Sequence, residues 1–75
     1  MRLSDSKRNI NLKVVSINIK NNKLKQYLMD QGLVKDTIIS IYKKSFFNGP
    51  IILKIRGFYL IISKSHAKDI EVIKL

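Results

Sequence analysis

Seventy-five residues without a cysteine carry fifteen Lys and Arg against five acids, a formal charge of +10, while 45% of the chain is apolar. That length suits one compact domain, residues 1–75, burying only about 60% of its unfolded surface; the missing cysteines exclude a disulfide framework and thiolate metal sites, and the apolar fraction excludes disorder. The charge attracts anionic partners, nucleic acid or a membrane surface among them, through a long-range field that salt screens, although a Lys-, Ile- and Asn-rich composition is also what an AT-rich genome produces.

In chain order, "MRLSDSKRNINLKVV" is charged throughout and lacks the apolar region of a secretory signal. "LKVVSINI" (12–19) alternates with a period of two, which predicts a strand whose inward residues are Val15, Ile17 and Ile19. Asn21-Asn22 supplies an N-cap for a helix over about 22–32. Its Leu24, Tyr27 and Leu28 recur at helical spacing, and Gly32 stands at the C′ position. "TIISIYK" (37–43) predicts a second strand with Ile39 and Ile41 inward. "KSFFNGP" reads as a loop: Asn48 tolerates left-handed geometry, and Gly49-Pro50 breaks the pattern so that a third strand starts at Pro50.

Within "IILKIR" (51–56), Ile51, Leu53 and Ile55 face inward while Lys54 and Arg56 meet solvent. Gly57 then makes a tight turn at positive φ, and Leu60 and Ile62 resume the inward row. "SKSHAKD" is a loop or a single helical turn, and "IEVIK" ends the pattern with Ile70 and Val72 inward. The longest apolar runs, "PIILKI" and "FYLIIS", fall far short of the roughly 20 residues that span a bilayer, so the chain is expected in the cytoplasm. Five short strands at this size would leave long edges bare in an open sheet. A mainly β, small SH3-like barrel of about five antiparallel strands with one inserted helix is therefore expected, the alternative being an open sheet with the helix across one face.

The order and spacing of Leu28, Gly32-Leu33, Thr37, Ile39, Ile41, Gly49-Pro50, Ile55, Gly57, Leu60, Ile62, Ala67, Ile70 and Val72 resemble the ferrous iron transport protein A family, FeoA, over nearly the whole chain. The family's opening glycine is Asn9 here, its Pro-Gly turn is Lys35-Asp36, the leucine before Gly32 is Gln31, and its basic residue after the fourth strand is Ser63 followed by Lys64. Asn and Asp are the side chains best able to replace glycine at a left-handed position. The resemblance implies an SH3-like barrel acting as a small cytoplasmic accessory protein of bacterial ferrous iron uptake. Its implied partner is FeoB, the membrane transporter with a cytoplasmic GTP-binding domain. A further alternative is a detached relative of the SH3-like C-terminal domain of iron-dependent repressors, which belongs to the same broad family; without a helix-turn-helix and the repressors' metal ligands, it would be a partner-binding domain and not a repressor proper.

Enzymatic chemistry is not expected of one histidine and five scattered carboxylates. His66 has only Asp69 near it in sequence, so no metal site is expected, and no GxxxxGK[ST] spacing provides for a nucleotide or another cofactor. Three binding surfaces remain. Lys43 and Lys44 beside Phe46 and Phe47 form an amphipathic loop suited to a protein partner, unless one Phe folds back to cap the barrel. Lys20, Lys23 and Lys25 with Tyr27 line the helix, and Lys54 and Arg56 make a basic strand face; both also fit plain solvation. Besides docking on a transporter, the charge and aromatics fit a nucleic-acid-binding barrel.

Overall fold

The computed structural model describes every residue except Phe46, so the expected part of Phe46 in a partner-binding loop lies outside the described residues. After a 3₁₀ turn at Leu3–Asp5 come β1 (Leu12–Ile17), α1 (Asn22–Asp30), β2 (Ile38–Lys44), β3 (Ile51–Ile55), β4 (Phe58–Ile62), α2 (Lys64–Ala67) and β5 (Ile70–Lys74). The strands form one antiparallel sheet in the order β4-β3-β2-β1-β5. Its two edge strands, β4 and β5, are consecutive in the chain and joined through α2. Every strand contributes to one buried cluster, in which Val14, Ile41, Ile51, Leu53, Ile70 and Val72 lose all contact with solvent. A flat single sheet of this size could not hide one face so fully; the sheet curls into the SH3-like barrel.

The inward rows of β2 to β5 follow the expected alternation, with Ile39, Ile41, Ile51, Leu53, Ile55, Leu60, Ile62, Ile70 and Val72 all buried. The inward row of β1 does not. Leu12 and Val14 are buried and Val15 is only half-buried, because Val14 pairs with Val72 and the next pair is Ser16 with Glu71. One residue, Val15, is extra. This β-bulge shifts the phase, so that Val14 and Ile17, three apart, both turn toward the core.

The helix is capped as its sequence requires. Asn21 Oδ1 accepts from the Leu24 amide at 3.1 Å. At the other end Gly32 takes φ +101°, its amide donates to Met29 O, and the Leu33 amide donates back to Leu28 O, both at 3.0 Å. This pair of bonds is a Schellman closure; it satisfies two terminal carbonyls and turns Leu33 into the core. Gln31, in the family's leucine position, is exposed at the C-cap. The expected apolar stripe is narrower than the spacing suggested: Leu28 is buried and Leu24 packs on the core, but Tyr27 is 53% exposed. Nine residues offer the barrel only the Leu24–Leu28 seam, one turn apart, and Tyr27 lies to the side of it.

Asn9 and Asp36 adopt φ +61° and +71°. At the first, the Asn9 amide reaches Ile41 O at 2.9 Å; at the second, the Asp36 amide reaches Val14 O at 2.7 Å. Each therefore pins a connection to a strand. Thr37 then donates its hydroxyl to Gly32 O at 3.1 Å, tying the end of the helix to the start of β2. The β3–β4 hairpin has a two-residue loop, Arg56 (φ +39°) and Gly57 (φ +87°), with Ile55 opposite Phe58. Two positive φ values in succession define the turn that matches the twist of paired strands.

Candidate functional site

Residues 37–68 contain no Asp or Glu, whereas six basic side chains fall there: Lys43, Lys44, Lys54, Arg56, Lys64 and Lys68. This stretch comprises β2, β3, β4 and α2, so these elements carry no acid of their own to balance their basic side chains. At its end an open concavity of about 750 Å³ is lined by Arg8, Lys43, Lys44, Ser45, Phe47 and Lys64.

Each side chain arrives there for a local reason. Asn9, at positive φ and bonded to Ile41 O, brings the neighbouring Arg8 against β2. Lys43 and Lys44 belong to the last turn of pleat in β2 rather than to the loop, because pairing with β3 continues through Lys43–Ile52 and Lys44–Ile51. A bulge at Tyr42, between the pairs Ile41–Leu53 and Lys43–Ile52, sets their directions. Lys44 falls on the side of buried Ile51, and its Nζ donates to Ser4 O at 2.7 Å and Ser6 O at 3.0 Å. It clamps the N-terminal turn to the barrel while leaving its charge in the concavity. Lys43 faces outward. Ile51 also pairs with Ile62, two residues before Lys64, which begins α2 at the same end.

The loop from Ser45 to Pro50 is closed by the Ser45 amide on Pro50 O at 3.3 Å, and β3 begins at Ile51, one residue later than expected. Phe47 and Asn48 both have positive φ, +56° and +63°. Asn48 is suited to it, but for Phe47 it is an uncommon conformation, and the side chain stands 99% exposed. The arrangement presents four cations and an aromatic ring, with Gly49-Pro50 behind them in the loop. Such a surface is electrostatically suited to an anionic group.

The remaining sequence-selected residues lie elsewhere. Lys23 and Tyr27 line a shallow surface of α1 with Asn22, Gln26 and Asp30, sharing no residue with the basic concavity. That surface includes an acid, Asp30, whose Oδ1 accepts from Gln26 Nε2 at 2.7 Å. His66 Nδ1 sits 2.7 Å from Ser63 Oγ, the cap of α2. Among the described residues no group of three or more His, Cys, Asp or Glu could hold a metal ion. No helix among them is long and apolar enough to cross a membrane. Sequence spacing does not join Arg8 and Lys64 to Lys43; the acid-free run from 37 to 68 holds Lys64 but not Arg8.

The FeoA domain family matches residues 1–74. A FeoA-like protein from Clostridium acetobutylicum is 36% identical, with a TM-score of 0.82 over 100% of this chain and 86% of that one. The FeoA protein from Chlorobium tepidum is 27% identical, with a TM-score of 0.91 over 100% of this chain and 70% of that one. A manganese-dependent transcriptional repressor shares the fold alone: 19% identity, TM-score 0.88, all of this chain and 41% of that one. No curated protein sequence matches the chain. Family match, barrel topology and the capped inserted helix agree, and the protein belongs to the FeoA family, which supports an accessory role in ferrous iron transport.

Proposed function

We propose that this protein is a non-catalytic, cytoplasmic regulator of ferrous iron uptake that docks on the cytoplasmic part of a FeoB-type transporter. The observation that supports docking through the barrel end is the acid-free run of residues 37–68, which leaves Arg8, Lys43, Lys44 and Lys64 around one concavity without a carboxylate. An acidic surface on the partner gains from such a field both in encounter rate and in specificity. Phe47, exposed beside the cations, supplies an apolar contact of the kind that anchors interfaces.

Isothermal titration of the protein into the transporter's isolated cytoplasmic domain tests this. Binding in the micromolar range, about 8 kcal/mol, is expected, and Lys43→Glu with Lys64→Glu should weaken it by roughly tenfold or more. Absence of heat with the unaltered protein contradicts docking. Nucleic acid is the second reading, favoured by the same basic stretch. It requires affinity that falls linearly in log salt with a slope set by several phosphates; the docking reading expects no retention of DNA or RNA at about 50 mM salt.

A further inference from the structure

Strand β4 is the edge of the sheet, paired with β3 alone. Because a two-residue loop places Ile55 and Phe58 in a mutually hydrogen-bonded pair, the amides and carbonyls of Phe58, Leu60 and Ile62 face β3. Those of Tyr59 and Ile61 face away from it, and no described residue bonds them. The side chains of this edge are apolar on the outside as well: Tyr59 and Ile61 are 54% and 66% exposed. Tyr59 stacks obliquely on Tyr42, ring centres 4.8 Å apart, and Ile61 continues the row through Ile52. Edges are ordinarily blunted by charge, proline or a covering segment. No residue of β4 itself is charged; Arg56 precedes it, Lys64 follows it, and Lys54 stands opposite Tyr59 on β3.

We propose that β4 accepts an extended segment of another protein as a sixth strand, and that this segment is apolar for about four or five residues with an acid on each side. The unpaired backbone groups select a peptide over a lipid headgroup or a nucleic-acid phosphate, which present no matching row of donors and acceptors. Arg56 and Lys64 select acids at its ends. They also select against a second copy of this chain, since antiparallel pairing of two β4 strands sets Arg56 of one against Lys64 of the other. The inference concerns the edge and stands whichever protein supplies the strand.

The probe is a blocked heptapeptide with glutamate at both ends and alternating valine and threonine between, added to the intact protein and followed by amide hydrogen exchange and ¹⁵N NMR. Bound peptide should slow exchange at the Tyr59 and Ile61 amides by about tenfold or more. The same peptide N-methylated at every valine and threonine should give no protection, and lysines in place of the glutamates should weaken binding by roughly fivefold or more. Ile61→Lys, at an exposed side chain, should abolish the effect at unchanged thermal stability. Three results would overturn the proposal: no change at millimolar peptide, binding that leaves both amides unprotected, or slowing that grows with protein concentration in the absence of peptide, which would identify a second copy as the occupant.

Discussion

Gly57 shows what one residue contributes and why. An added Cβ would meet nothing within 4 Å, yet the backbone sits at φ +87°. Gly57→Val is therefore a test of conformation alone, expected to destabilise by about 1–2 kcal/mol and to lower the melting temperature by on the order of 5–10 °C; an unchanged melting curve would remove the turn from the account. The same reasoning applies to Asn9 and Asp36, whose residue types tolerate a left-handed backbone and which both take positive φ. Phe47 was not readable this way. Its positive φ belongs to a loop whose closure by Ser45 and Pro50 depends on where β2 and β3 stop pairing, which residue type alone does not reveal.

At the scale of elements, alternation located all five strands and fixed the inward rows of four. It failed on β1, where a bulge at Val15 moves the phase by one residue: a period of two carries no mark of an unpaired residue. It also ended the second strand at Lys43, one residue early, since nothing in "YKK" marks that pairing with β3 continues through Lys44. The structure separates these neighbours by role. Lys44 holds the carbonyls of Ser4 and Ser6, and Lys43 faces outward. Lys44→Met should lower stability by about 1–3 kcal/mol, the range for hydrogen bonds from a charged donor to groups left without a partner. Lys43→Met should change it by less than about 0.5 kcal/mol. Urea unfolding of the two variants gives the comparison, and equal losses would mean that the clamp does not stabilise the N-terminal turn.

Across the whole molecule, composition announced a basic protein but not where its charge goes uncompensated. Topology places part of it: β2, β3 and β4, which with α2 carry no acid, are neighbours in the sheet, and the N-terminal connection adds Arg8 at one end. The five acids lie outside residues 37–68, together with nine of the fifteen basic residues, and Lys23 with Tyr27 on α1 forms a separate surface beside Asp30. The central claim is that the partner meets the basic end of the barrel and not the helix. A ¹⁵N NMR titration with the cytoplasmic domain of a FeoB-type transporter tests it most directly: the account predicts the largest shifts at Arg8, Lys43, Ser45 and Lys64 with Lys23 and Tyr27 unmoved, and shifts centred on Lys23 and Tyr27 would contradict it.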